Sequence, residues 1–287
     1  MRSDRDFTCS YGVLERVSPL IRRIVARNPG PFTFRGTGTY VVGQGRVAVI
    51  DPGPDLAEHV DALLTALRGE TVTHILVTHT HRDHSPAAAA LKAAVGAPTY
   101  GFGPHGVTGA SVESGADLDF VPDFPMSDGD AVEGPGWRLE AVHTPGHTDN
   151  HLCFALPQER ALFSGDHVMG WSTTVIAPPD GDMARYMRSL DRLLARDDAV
   201  YWPTHGGPID DPPAHLRALR EHRLARRAAV LAALGPRPKR PLDLVPEVYG
   251  ALDPRLVTAA AGSLLAHLIE LAEGGEAVAE GDLWRRA

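Results

Sequence analysis

Two hydrophobic periodicities divide the chain. Up to about residue 210, short apolar runs alternate with Gly/Pro turns. The runs at 38–43 and 46–51 flank Gly43-Gln44-Gly45, which predicts a β-hairpin, and Asp51-Pro52-Gly53 ends the second strand. Leu56, Val60, Leu63, Leu64 and Leu67 fall on one face and predict a helix over 56–67. A strand at 74–77 runs directly into Thr78-His79-Thr80-His81-Arg82-Asp83-His84. Ser85 as N-cap and Pro86 as first helical residue then open a helix over 87–95. A strand at 137–143 empties into Thr144-Pro145-Gly146-His147. A strand pair at 151–156 and 161–164 empties into Gly165-Asp166. Asp182 caps a helix with Met183, Tyr186, Met187, Leu190, Leu193 and Leu194 on one stripe, and a strand at 199–202 leads to Pro203-Thr204-His205-Gly206-Gly207.

After Asp210-Asp211-Pro212-Pro213 the pattern turns helical. A long Arg-rich helix runs to about Leu234, a short one covers 242–249, and Asp253-Pro254 opens another to Ala272. Residues 276–286 read as a β-hairpin turning at Glu280-Gly281-Asp282. Helix, helix and hairpin is the order of the second half of a winged helix, so the chain divides into a larger α/β domain over 1–213 and a winged-helix-like domain over 214–287.

Charge sharpens this division. The net charge is −8, yet residues 214–287 carry 11 Lys+Arg against 9 Asp+Glu, while 1–213 carry 17 against 27. With 43% apolar and 22% charged residues the chain can bury a sizeable core. Its two cysteines, Cys9 and Cys153, exclude a disulfide framework or thiolate metal site. Residues 1–12 show no apolar leader, and no run is read as reaching the ~18 apolar residues of a membrane span. A cytoplasmic protein without a membrane partner is therefore expected; the oligomeric state stays open.

The chemistry is concentrated in His79-x-His81-x-Asp83-His84. Three imidazoles and a carboxylate within six residues cannot share one helical or strand face. They suit a loop wrapped around a metal ion, since N and O donors bind zinc and similar ions at ~2.0–2.2 Å. His147, Asp166 and His205 each follow a β-run and adjoin glycine, so they can converge on the same rim.

At these residues the chain resembles the metallo-β-lactamase superfamily, over about 35–210. The resemblance implies an αββα sandwich, α/β in class, with metals at one edge of the two sheets. It places His79, His81 and His147 on a first metal, Asp83, His84 and His205 on a second, and Asp166 across both. Asp51 would support the ligand loop from behind. Two divalent ions are implied, zinc first, with iron or manganese compatible with an all-N/O donor set. His81 departs from the Glu of oxygen-reducing di-iron members, and Asp166 from the Cys of the best-known β-lactamases.

The implied activity is hydrolysis of an ester, thioester, lactone or phosphodiester by a metal-bridging hydroxide, with Asp83 orienting it or receiving its proton. His151 and His167 are candidates for protonating a leaving group, and Thr173 and Thr174, in the segment 169–180, for contacting an oxyanion or phosphate.

The runs 144–151, 163–166 and 173–175 resemble the lactamase-beta-like protein two branch, which carries a winged-helix-like tail and whose animal member is a mitochondrial endoribonuclease for single-stranded RNA. His167 departs from the Cys of that member. Arg217, Arg220, Arg223, Arg226 and Arg227 recur at spacings of three and four, so an RNA partner through a basic helix face is one alternative to a small-molecule ester or thioester substrate. A mononuclear iron persulfide dioxygenase is another, as is a regulatory nucleic-acid-binding module with a vestigial metal site. His84 and His205 argue against the one-metal enzyme, and the intact ligand set argues against the regulatory module.

Overall fold

The computed structural model describes residues 6–106 and 115–287. The first five positions, part of the stretch read as lacking a leader, lie outside it. In order along the chain the elements are β1 (Glu15–Arg16), β2 (Ile21–Val25), β3 (Gly38–Gln44), β4 (Arg46–Ile50), α1 (Ala57–Ala66), β5 (Thr71–Leu76), α2 (Ala87–Val95), β6 (Thr99–Gly101), β7 (Phe124–Pro125), β8 (Ala131–Gly134) and β9 (Trp137–His143). They continue with β10 (Leu152–Leu156), β11 (Ala161–Gly165), α3 (Met183–Leu194), β12 (Val200–Pro203), α4 (Pro212–Ala233), α5 (Pro241–Tyr249), α6 (Val257–Glu273), β13 (Ala277–Glu280) and β14 (Leu283–Arg286).

Strands β1 to β7 form one sheet in sequence order, and β12-β11-β10-β9-β8 form a second. The inner faces meet through Tyr40, Ile50, Leu76, Trp137, Phe154 and Phe163, all essentially buried. The outer face of the first sheet is covered by α1 and α2 through Leu63 and Leu91. The outer face of the second is covered by α3 and the start of α4 through Tyr186, Leu190, Leu216 and Leu219. These four layers are the expected αββα sandwich, each sheet being buried on both faces.

Strand register places the site. Ile50 pairs with Leu76 across parallel β4 and β5, so Asp51 and the run Val77-Thr78-His79 leave the first sheet side by side. In the second sheet Gly165 pairs with Pro203 across parallel β11 and β12, so Asp166 and Thr204-His205 leave together. Antiparallel β9 and β10 pair His143 with Leu152, and the loop between them carries His147.

The helices were legible, with differences at their caps. Asp182 accepts from Arg185 N (2.8 Å) and Asp211 from Ala214 N (3.1 Å), as capping residues should. Ser85 does not cap α2. Its hydroxyl is 2.5 Å from Asp117 Oδ2, and Pro86, expected as the first helical residue, takes the cap position in helical conformation.

In the C-terminal region, α5, α6, the second half of α4 and the β13–β14 hairpin enclose a core that includes Val230, Leu244, Leu264, Leu268 and Trp284. Pro254–Glu273 is long and apolar enough by composition to cross a membrane, which corrects the expectation that no run is. Here its buried residues, Leu264, Leu268 and Leu271 among them, serve that core.

The Arg-rich face of α4 is largely engaged within the protein. Arg223 is buried, Arg226 lies over the Tyr249 ring and bonds Val248 O, Arg227 pairs with Glu270 and Glu276, and Arg220 pairs with Asp191. Four of the five guanidiniums thus have partners within the protein, because the same face packs against α3, α5 and α6.

Candidate metal centre

The seven expected donors fall into two groups. His79, His81 and His147 form one, and Asp83, His84, Asp166 and His205 the other. His79 Nε2 lies 2.9 Å from His81 Nδ1, and His147 Nε2 lies 3.1 Å from the same atom. In the second group His205 Nε2 is 3.1 Å from Asp83 Oδ2 and 3.4 Å from Asp166 Oδ1, and His84 Nε2 is 3.5 Å from Asp166 Oδ2. Asp166 Oδ2 is also 3.9 Å from His147 Nε2, so this carboxylate faces both groups. Donors around a tetrahedral ion are spaced roughly 3.4 Å apart when each is ~2.1 Å from it, close to what is seen.

Four imidazoles are oriented from outside. Carbonyls accept from two of them: His147 Nδ1 donates to Val175 O (2.7 Å) and His205 Nδ1 to Gly36 O (3.1 Å). His84 Nδ1 donates to Asp51 Oδ2 at 2.9 Å. Thr78 Oγ1 gives its proton to Asp51 Oδ2 (2.8 Å) and so accepts from His79 Nδ1 at 3.1 Å. With each Nδ1 proton committed to an outside acceptor, the proton that a cation would displace is the one on Nε2, and the neutral ring then presents its Nε2 lone pair to the centre, the tautomer a ligand needs.

Asp51 is the hub. Only 1% exposed, it also accepts from Thr78 N (2.7 Å) and from Thr204 Oγ1 (2.9 Å), and thereby ties both ends of the 78–84 loop to the Thr204-His205 run.

The fit to cations also shows in what is left over. His84 Nε2, His205 Nε2 and Asp166 Oδ1 are buried without a well-formed hydrogen bond, although oppositely charged atoms stand nearby. Buried polar atoms are rarely left so. Burial, then the neighbouring His84, His81 and His147, push the His79 pKa well below its ordinary value. Burial opposes a charge on His205 as well, yet Asp166 and Asp83 raise its pKa to about 10. The first group thus rejects protons and offers lone pairs, whereas the second concentrates negative charge that a cation would satisfy.

Two glycines let the backbone reach this arrangement. Gly146 has φ 142°, and a Cβ there would fall 2.4 Å from the Tyr186 backbone; Gly165 has φ 52°, and a Cβ there would fall 2.5 Å from His151 Nε2.

Three expectations about accessory residues change. His151 is wholly buried: Nδ1 bonds Thr144 Oγ1 (2.9 Å) and Nε2 accepts from Asp166 N (3.2 Å). It supports the Asp166 backbone from beneath the site, and burial holds its pKa well below the ordinary value. His167 is buried against Tyr186, and burial pushes its pKa down to about 3. Neither ring is exposed to a leaving group. The Thr174 hydroxyl, expected to face the cavity, donates to Asp166 O at 2.7 Å and is 2% exposed. Thr78, Thr204 and the Val175 carbonyl were not anticipated. The one signal for the threonines is that each directly precedes a ligand-type histidine.

Residues 33–205 match the Metallo-beta-lactamase superfamily, and residues 241–284 match the Beta-lactamase associated winged helix domain. The chain belongs to the metallo-β-lactamase superfamily. It is an enzyme, a hydrolase of that superfamily with an added winged helix. Among similar proteins is an atrochrysone carboxyl ACP thioesterase of Claviceps purpurea, 32% identical over 260 residues, covering 87% of this chain and 78% of that protein. A protein of the same description from Passalora fulva is 33% identical over 251 residues, covering 83% of this chain and 70% of that one. The crystal structure of a metallo-beta-lactamase family protein from Thermus thermophilus superposes with TM-score 0.79 at 26% identity, covering 95% of this chain and all of that one.

Proposed function

We propose that this chain is a two-metal thioester hydrolase, with His79, His81 and His147 on one ion, Asp83, His84 and His205 on the other, and Asp166 touching both. Zinc is the proposed metal, the donor set being tolerant of iron or manganese. Such ions supply Lewis acidity, lowering the pKa of water and countering charge on the attacked carbonyl oxygen. Asp83 is the most open carboxylate of the set, its side chain 26% exposed. His84 and His205 hold it ionised against the effect of burial, so it can orient the attacking water and take its proton.

The observation that carries the thioester reading is the burial of His151 and His167. An alkoxide leaving group wants a proton donor, whereas a thiolate, whose conjugate acid has a pKa of about 8.5, departs unaided. The thioesterase descriptions of the relatives agree with it. RNA hydrolysis is less well supported, since the α4 arginines are engaged internally. One-metal oxygenase chemistry would leave the second donor group without a purpose.

The acyl side of the site is proposed to be apolar. Phe34 and Trp171 stack with centroids 4.8 Å apart and planes at 8°, Trp171 packing on Gly206 and the Phe34 loop being tied to His205 through Gly36. An acyl thioester, its isosteric oxyester and a single-stranded RNA, offered to the zinc-loaded protein, test the reading. The thioester should be turned over with a kcat/KM at least tenfold above the oxyester, and RNA not at all. RNA cleavage, or equal rates on both esters, would contradict it.

A further inference from the structure

The C-terminal unit reaches the metal centre through a two-residue relay. Thr174 and Val175 lie in the segment that follows Asp166, and each holds one of the proposed ligands. Thr174 Oγ1 donates to the Asp166 carbonyl (2.7 Å) with the His167 carbonyl 3.1 Å away sharing that proton, while Val175 O accepts from His147 Nδ1 at 2.7 Å. A shift of this run would rotate the His147 ring and move the Asp166 backbone together.

From the other side the same run is gripped by the tail. The Arg223 guanidinium, on α4, donates to Thr174 O. Ser263 Oγ, on α6, accepts from Ile176 N at 3.3 Å. One residue earlier, a Cβ on Gly262 would come within 2.9 Å of Ala177 Cβ, so α6 approaches the segment at close contact. Arg223 is 3% exposed and Ser263 7%, and the guanidinium also lies 5.1 Å over the ring of Tyr186, whose hydroxyl donates to His167 O at 3.1 Å. Burying a guanidinium is costly where apolar packing alone would join two units. The cation here sits where it holds the carbonyl adjoining the two ligand-orienting contacts.

We propose that Arg223 and Ser263 are positioning residues by which the winged-helix unit sets the geometry of the metal centre, acting through the Thr174–Val175 backbone on Asp166 and His147. The proposal rests on the two-metal reading above. It gives the tail a role within the hydrolase itself, one that needs no nucleic acid. Contacts of this kind to ligating groups typically change metal affinity by about 10–100-fold.

The test compares full-length Arg223→Met, Arg223→Lys and Ser263→Ala with Leu268→Ala, which weakens the tail core without touching the relay. Zinc affinity is read by chelator competition well below each melting temperature, and the melting temperature of the metal-free protein is read alongside. Arg223→Met should bind zinc at least tenfold more weakly, Ser263→Ala severalfold more weakly, and Arg223→Lys should recover part of the loss. Leu268→Ala should lower the melting temperature and leave zinc affinity unchanged. Wild-type protein that binds no zinc would overturn the two-metal reading and this proposal with it. A zinc-binding wild type with Arg223→Met and Ser263→Ala within twofold of it would overturn this proposal alone, as would equal loosening by Leu268→Ala. Should Arg223→Met fail to fold, Ser263→Ala and Arg223→Lys decide the matter.

Discussion

Asp51→Asn changes one atom, and the consequences should be large. In the native site Oδ1 accepts from Thr78 N, while Oδ2 accepts from Thr78 Oγ1, His84 Nδ1 and Thr204 Oγ1. An asparagine has two orientations. With its amide nitrogen at the Oδ2 position, His84 Nδ1 meets a donor and must give up its proton. Nε2 then carries the proton and loses the lone pair that binds metal. Thr78 Oγ1 likewise loses its acceptor and competes with His79 for the proton between them. With the amide turned the other way, the buried Thr78 N–H faces a donor, and an unsatisfied group of this kind costs about 1–3 kcal/mol. Neither orientation restores the site. Zinc affinity should fall about 10–100-fold, the range for loss of a group orienting a ligand. Chelator competition measures the affinity, and denaturant unfolding of the metal-free protein measures the stability cost. Zinc affinity equal to wild type together with an unchanged unfolding free energy would refute the reasoning, since one orientation must cost metal affinity and the other stability.

Three further outcomes are expected. Asp166→Ala removes the carboxylate that faces both groups and should reduce bound zinc from two ions toward one with loss of most turnover; elemental analysis showing two ions and wild-type rates would show the assignment wrong. His59 is 2% exposed and burial lowers its pKa from 6.5 to about 4, so the unfolded chain takes up a proton before the folded one as pH falls. The stability His59 contributes is present above pH 6.5 and lost down to about pH 4, roughly 3 kcal/mol in all. The metal-free His59→Gln protein should therefore lose less unfolding free energy than wild type over that window, and parallel curves would refute this. Trp171→Ala should raise KM for an aromatic acyl thioester more than for an acetyl thioester with little change in kcat; equal effects on both would remove the aromatic pair from the acyl site.

That these candidate donors would gather at one rim was legible because each lies within a few residues of a strand's end, which fixes where the side chain starts. His79 to His84 are contiguous after β5, and Asp166 and His205 follow β11 and β12 by one and two residues. The groups that orient those donors were harder to find. Val175 acts through its carbonyl, which leaves no trace in residue type, and Arg223 shares its residue type and spacing with the other α4 arginines, while only the packing of α4 against the segment 169–180 singles it out. Ser85 had the right residue type and place for a cap, but the Asp117 carboxylate, 32 residues away, takes its hydroxyl. Strand β2 was missed because Ile21–Val25 carries Arg22 and Arg23 at its centre. Arg22 pairs with Glu70, just before β5, and Arg23 is buried with Gly206 O as acceptor at 3.1 Å, pairings that no local pattern announces.

The central claim is that seven side chains hold two ions, and anomalous diffraction at the zinc edge from crystals of the zinc-loaded protein tests it most directly. Two peaks should appear, one among His79 Nε2, His81 Nδ1 and His147 Nε2, the other among Asp83, His84 and His205, with Asp166 in contact with both. A single peak at full loading, or peaks away from these atoms, would contradict the account.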